Sequence, residues 1–167
     1  MKKLLFALMI LVIVSGSVFA IDLLQYPPPV SGGDFIIDIG LGISSGYGLS
    51  GAKIQVPPIF ASVEYALPVR LPISVGGIFS YWQYHKEDSR YPYVTIAARG
   101  NWHWAFNVNW LDFYTGLALG FMFNSSNYFP LSPGVHAGAH FYFTKNVGIA
   151  TEFGFPVFAK VGLALKF

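Results

Sequence analysis

The sequence predicts an all-β fold, an eight-stranded antiparallel up-and-down transmembrane β-barrel. Three observations predict it. The 167-residue chain is 54% hydrophobic and only 11% charged, well below the roughly 25% charge of a soluble domain, so it has too little polar side chain to cover itself. Beyond the first twenty residues it holds no apolar run of about 18 residues, which excludes a helical membrane protein. The apolar residues are dispersed by alternation instead, with the period of two that gives a strand one greasy and one polar face.

The chain opens MKKLLFALMILVIVSGSVFA. Two lysines, an unbroken apolar run from Leu4 to Val14, and small or polar residues ending at Ala20 predict a cleaved signal peptide over residues 1–20. The run is well short of the roughly 20 residues of a spanning helix. There is no cysteine, so neither a Cys-linked lipid nor a disulfide framework holds the protein. Losing Lys2 and Lys3 leaves eight Lys and Arg against eight Asp and Glu. That balance lacks the clustered basic surface a nucleic-acid partner would need.

Residues 21–33 contain Pro27, Pro28 and Pro29, which bar helix and disfavour sheet, so they form an extended lead-in. The barrel is expected over residues 34–167. Its first strand starts near Asp34, with Phe35, Ile37, Ile39, Leu41 and Ile43 on one face and Ile36, Asp38, Gly40 and Gly42 on the other. SSGYGLSGAK connects it to a second strand near Pro58 to Leu67, where Ile59, Ala61, Val63 and Tyr65 oppose Phe60, Ser62, Glu64 and Ala66. PVRLP turns the chain into a third strand, Ile73 to Tyr84. HKEDSR, the one charge run, reads as an exposed loop.

The fourth strand, Tyr93 to Trp104, sets Val94, Ile96, Ala98, Trp102 and Trp104 against Thr95, Ala97, Arg99, Asn101 and His103. AFNVN is its turn. The fifth, Trp110 to Phe123, sets Leu111, Phe113, Leu117, Leu119 and Phe121 against Asp112, Tyr114, Gly116, Ala118 and Gly120. NSSNYFPLS reads as a loop. The sixth, Gly134 to Thr144, places Val135, Ala137, Ala139 and Phe141 against His136, Gly138, His140 and Tyr142. Lys145 and Asn146 make a tight turn into the seventh, Val147 to Phe155, and a short bend at Pro156 leads to the eighth, which alternates up to Phe167. Eight such segments suit a tilted spanning strand, and an even number lets the sheet close. Closure is required because lipid cannot satisfy an open edge.

A soluble ligand-carrying barrel alternates too, with its bulky set inside. Here that would turn a set rich in Gly and Ala to water, a poor solvated strand surface. Turned inward, the same residues fit the narrow lumen of an eight-stranded barrel. Asp38, Glu64, Arg99, Asp112, Glu152, Lys160 and Lys166 all share the inward parity, which predicts an ion-pair network in the lumen, since unpaired charges there would be costly. Tyr81, Trp102, Trp104 and Trp110 lie at strand ends, as an interfacial aromatic girdle requires; Trp82, Tyr84, Tyr91 and Tyr93, flanking the charge run, fit the same pattern.

The leader, the eight alternating segments and the terminal VGLALKF together resemble the small outer-membrane β-barrel families of double-membraned bacteria. In size the chain is nearest to the OmpX and opacity-like barrels, and it is more loosely similar to OmpW. The resemblance implies residence in the cell outer membrane among its lipids. It also implies that Val161, Leu163, Leu165 and Phe167 form an assembly signal read by the barrel-assembly machinery. With both termini periplasmic, the outer connections fall near Ser45 to Val56, His85 to Arg90, Asn124 to Ser132, and Pro156; their shortness argues against a long-loop adhesin.

Chemistry is sparse. His136 and His140, four residues apart on a strand, are separated by roughly 13 Å and cannot share a metal unaided; they read as neutral lumen side chains. One group of outer-membrane enzymes acting on lipid A carries His and Ser two residues apart on a strand, but Ala105 and Gly138 follow His103 and His136 at that spacing. No other nucleophile and base pair stands out. The sequence therefore predicts no enzyme, metal or cofactor. Its leading functional reading is a structural or surface-interaction protein, with an unnamed surface ligand. The alternative is a narrow channel for small, including hydrophobic, solutes, and the third reading is a lipid A-modifying enzyme.

Overall fold

The computed structural model describes residues 30–43, 52–104, 106, 108–124 and 131–167. The expected signal peptide and most of the lead-in lie outside these residues. Eight strands follow in order: β1 (Phe35–Ile43), β2 (Lys53–Ala66), β3 (Ile73–Lys86), β4 (Ser89–Trp104), β5 (Leu111–Asn124), β6 (Leu131–Tyr142), β7 (Val147–Gly154) and β8 (Ala159–Lys166). Each pairs antiparallel with the next, and β8 returns to β1 to close the barrel. The seam reaches the chain end, where Phe35 N donates to Phe167 O at 3.0 Å and Phe167 N to Phe35 O at 2.9 Å.

Side chains alternate as a period of two demands. Leu163 and Phe121 are 47% and 41% exposed on the outer wall, whereas Glu152 is 4% exposed inside. Inward glycines make room for larger lumen groups: a Cβ at Gly138 would meet the Tyr114 ring, one at Gly116 the Asn101 and His136 side chains, and one at Gly134 the Phe155 ring.

Three segment boundaries differ from the sequence reading; the first is the start of β2, at Lys53 instead of Pro58, so the strand takes in the end of the expected connection. HKEDSR is not a loop, because β3 and β4 stay in register through His85↔Arg90 and Lys86↔Ser89, leaving a two-residue turn in which Glu87 adopts a φ of 55°. Charged side chains do not end a hairpin that projects beyond an apolar belt; only the turn chemistry does. β6 likewise begins at Leu131, with Ser132 and Pro133 opposite Gly120 and Leu119, so the expected loop is shorter at that end.

The wall is uneven. β2 to β5 hold 14 to 16 residues, β7 and β8 only 8. Trp82, Tyr84 and Tyr93 therefore face the lumen, 1%, 4% and 6% exposed, and do not belong to a girdle. They pack with Phe60, Ile78, Met122, Phe155 and Val157 in one apolar cluster. Phe155 and Val157 come from the β7–β8 turn, which folds under the taller wall and covers its inner face. At the opposite end, near both termini, Val30 packs on Ile36 and Ala66, and Tyr142 on Ala150 and Ala164. The end of the lead-in thus enters the barrel, a point the sequence left open.

A charged layer sealed in the barrel lumen

Between these apolar ends lies a polar layer. Arg99 on β4 reaches across to Glu152 on β7, Nη2 to Oε2 at 2.6 Å, and to Glu64 on β2 at 3.3 Å. Lys160 on β8 pairs with Glu152 and donates to the Phe155 carbonyl at 3.0 Å. The Tyr114 hydroxyl donates to Glu152 at 2.9 Å, and its ring faces the Arg99 guanidinium at 5.6 Å.

A second set continues from Glu64. The Ser74 hydroxyl donates to Glu64 Oε2 at 2.8 Å, and His103 Nε2 lies 2.9 Å from Ser74 Oγ. His103 Nδ1 is 2.9 and 3.0 Å from the two Asp112 oxygens. His140 Nδ1 lies 2.9 Å from Asp112 Oδ2, its Nε2 3.3 Å from Asp38 Oδ2, and Ser62 donates to that same Asp38 oxygen at 3.1 Å. One hydrogen-bonded chain therefore links strands around the whole barrel, and such a network is stable only when its members satisfy one another.

Of the expected lumen charges, Glu64, Arg99, Glu152 and Lys160 meet one another. Asp38 and Asp112 meet histidines instead of Arg or Lys. Lys166 stands apart at the terminal end, 4.0 Å from Asp34 Oδ2 and 4.6 Å from the Tyr142 ring centroid. The carboxylates outnumber Arg99 and Lys160, and His103 and His140 occupy the excess. Both ring nitrogens of His140 face carboxylate oxygens, Asp112 Oδ2 and Asp38 Oδ2, so the ring bridges β5 and β1. His136 is separate, with Nε2 2.6 Å from Asn101 Oδ1.

The structure also brings together what sequence spacing hid. Ser74, His103 and Asp112 form a serine, histidine and carboxylate line of the kind that activates a nucleophile. They come from β3, β4 and β5, and only strand register makes them neighbours. Their inward parity was the available signal. Two features oppose catalysis: the Ser74 hydroxyl hydrogen is committed to Glu64, and the three residues are 0%, 1% and 0% exposed, so a substrate carbonyl has no place beside them. Among the described residues no group of three or more His, Asp or Glu side chains could hold a metal ion.

The proposed girdle residues all face outward. Tyr81 lies toward the hairpin end, its hydroxyl donating to Gln83 at 2.8 Å. Trp102 and Trp104 lie toward the terminal end, with ring centroids 6.5 Å apart, and Trp104 Nε1 donates to Thr115 at 3.0 Å. Trp110 stacks on Phe141 at 6.2 Å. Val161, Leu163 and Phe167 are exposed on the outer wall with Leu165 partly so.

No family model matches the sequence, and no curated protein matches it. Solved structures do. The backbone of the outer membrane protein Ail of Yersinia pestis in a phospholipid bilayer nanodisc superposes with a TM-score of 0.54 at 17% identity, over 81% of this chain and 99% of that one. Neisserial surface protein A superposes with a TM-score of 0.54 at 12% identity, over 81% and 96%. The crystal structure of Ail gives 0.50 at 16%, over 81% and 99%. At these identities the likeness concerns architecture: the chain has the fold of the small eight-stranded outer-membrane β-barrels.

Proposed function

We propose that the chain is an integral outer-membrane barrel that acts as a structural or surface-interaction element, with a lumen that is a closed core and neither a conduit nor an active site. The observation that carries this reading is the filled lumen. The Arg99, Glu152 and Glu64 layer is stacked between the aromatic cluster under the β7–β8 turn and the Val30, Ile36 and Ala66 cluster at the other end. An eight-stranded barrel has room for side chains and little else, and the apolar clusters give a hydrated solute no polar path. The outward apolar wall supports lipid as the surrounding medium. Refolded protein in planar bilayers is expected to show no discrete conductance steps, and liposomes carrying it should swell no faster than empty ones. Reproducible solute flux would end this reading in favour of the narrow channel.

A further inference from the structure

We propose that the hairpin end carries a site for an anionic lipid headgroup, built from Lys53, His85 and Arg90. It rests on the membrane-embedded reading above and names the lipid chemistry. The three residues lie side by side on β2, β3 and β4, because Lys53 is opposite His85 and His85 is opposite Arg90. Directly opposed residues project to one face. Trp82 and Tyr84 point inward, so His85, one position on, points out, and the row looks sideways toward the surrounding membrane.

Its height fits a headgroup. Below it on β3 come Gln83, then Tyr81, then the apolar Phe79. Four residues separate Tyr81 from His85, roughly 13 Å along a strand and less in height once the strand tilts by about 40°. The headgroup layer is about 5 to 7 Å deep on each side of the hydrocarbon, and long cationic side chains reach down into it. Between row and belt lies a polar shelf, where Gln83 Nε2 donates to Gln55 Oε1 at 2.6 Å.

Among the described residues the Lys53 and Arg90 charges have no counterion. All three residues are exposed, and none makes an ion pair among the described residues. The nearby carboxylates, Glu87 and Asp88, sit in the turn beyond the row. Cations therefore lie nearer the membrane than the anions do, an order that favours phosphate at headgroup height over an acidic partner approaching from solution.

The test uses wild-type protein, Lys53→Gln/Arg90→Gln, and a control, Arg70→Gln/Lys145→Gln, whose cations lie in turns at the terminal end. Each is refolded into nanodiscs of phosphatidylcholine with a minor fraction of phosphatidylglycerol, and the lipids retained on extraction are counted by native mass spectrometry. Wild type and control should enrich phosphatidylglycerol. The row variant should lose that enrichment by an order of magnitude or more, from roughly fivefold per cation near an anionic surface. Enrichment unchanged in the row variant, or lost equally in the control, overturns the site. So does inositol hexaphosphate binding the row in pure phosphatidylcholine discs while phosphatidylglycerol shows no preference, since that would mark a site for soluble polyanions. Failure of wild type to insert at all would instead sink the membrane reading beneath it.

Discussion

Arg99 holds two carboxylates from strands on either side of it, and its position shows what one side chain contributes when it is buried in the lumen. Replacing it with Met leaves Glu152 with Lys160 alone and Glu64 with no Arg or Lys partner, and breaking a buried pair from one side costs about 3 to 5 kcal/mol. Arg99→Met should therefore lower the unfolding free energy by that amount in urea titrations of the refolded barrel in lipid vesicles. Arg70→Gln, at an exposed turn, should stay within about 0.5 kcal/mol of wild type. An Arg99→Met protein with the wild-type midpoint would mean that the lumen charges are not coupled as described. The inward parity of Arg99, Glu64 and Glu152 was legible because strand alternation needs no knowledge of neighbours. Partner choice was not legible: Asp112 meets His103 and His140 through the β4–β5 and β5–β6 registers, and spacing along one strand carries no trace of either.

At the scale of the element, the last strand separates folding from delivery. Phe167 shares two backbone hydrogen bonds with Phe35, but its ring is 67% exposed and so packs little within the barrel. Phe167→Ala keeps the backbone pair. It should refold into detergent with wild-type yield and a stability within about 0.5 kcal/mol, while its insertion into the outer membrane of cells falls severalfold if the assembly machinery reads the terminal aromatic. Heat-modifiable migration on gels reads both quantities, and equal insertion of variant and wild type would remove the assembly role. Most strands were legible from alternation and turn residues. The β3–β4 hairpin was misread because a run of charges marks solvent, and solvent is compatible with a strand that rises above the membrane. His85 and Gln83 keep the period of two through that run, a signal that composition masked.

The molecule as a whole is defined by the direction in which it is greasy. That direction was legible, since Gly, Ala and ionic residues share one parity and Leu, Ile and Phe the other. The apolar cluster under the β7–β8 turn was not, because Phe155 and Val157 act at a distance, from a short turn onto strands far away in sequence. Leu119 is the place to test the direction: it lies mid-strand on the outer wall, 52% exposed, between Ala98 and Pro133 on the neighbouring strands. In water an outward Arg there would be harmless or helpful. In lipid it must drag a guanidinium toward the hydrocarbon midplane, at a cost of about 2 to 4 kcal/mol. Leu119→Arg should therefore unfold at lower urea than wild type in phospholipid vesicles, and Leu119→Ala should lose less, because it removes apolar contact without introducing charge. If Leu119→Arg matched wild type in vesicles, the outer wall would not face hydrocarbon, and the barrel would have to be a soluble one with its charges enclosed for another reason.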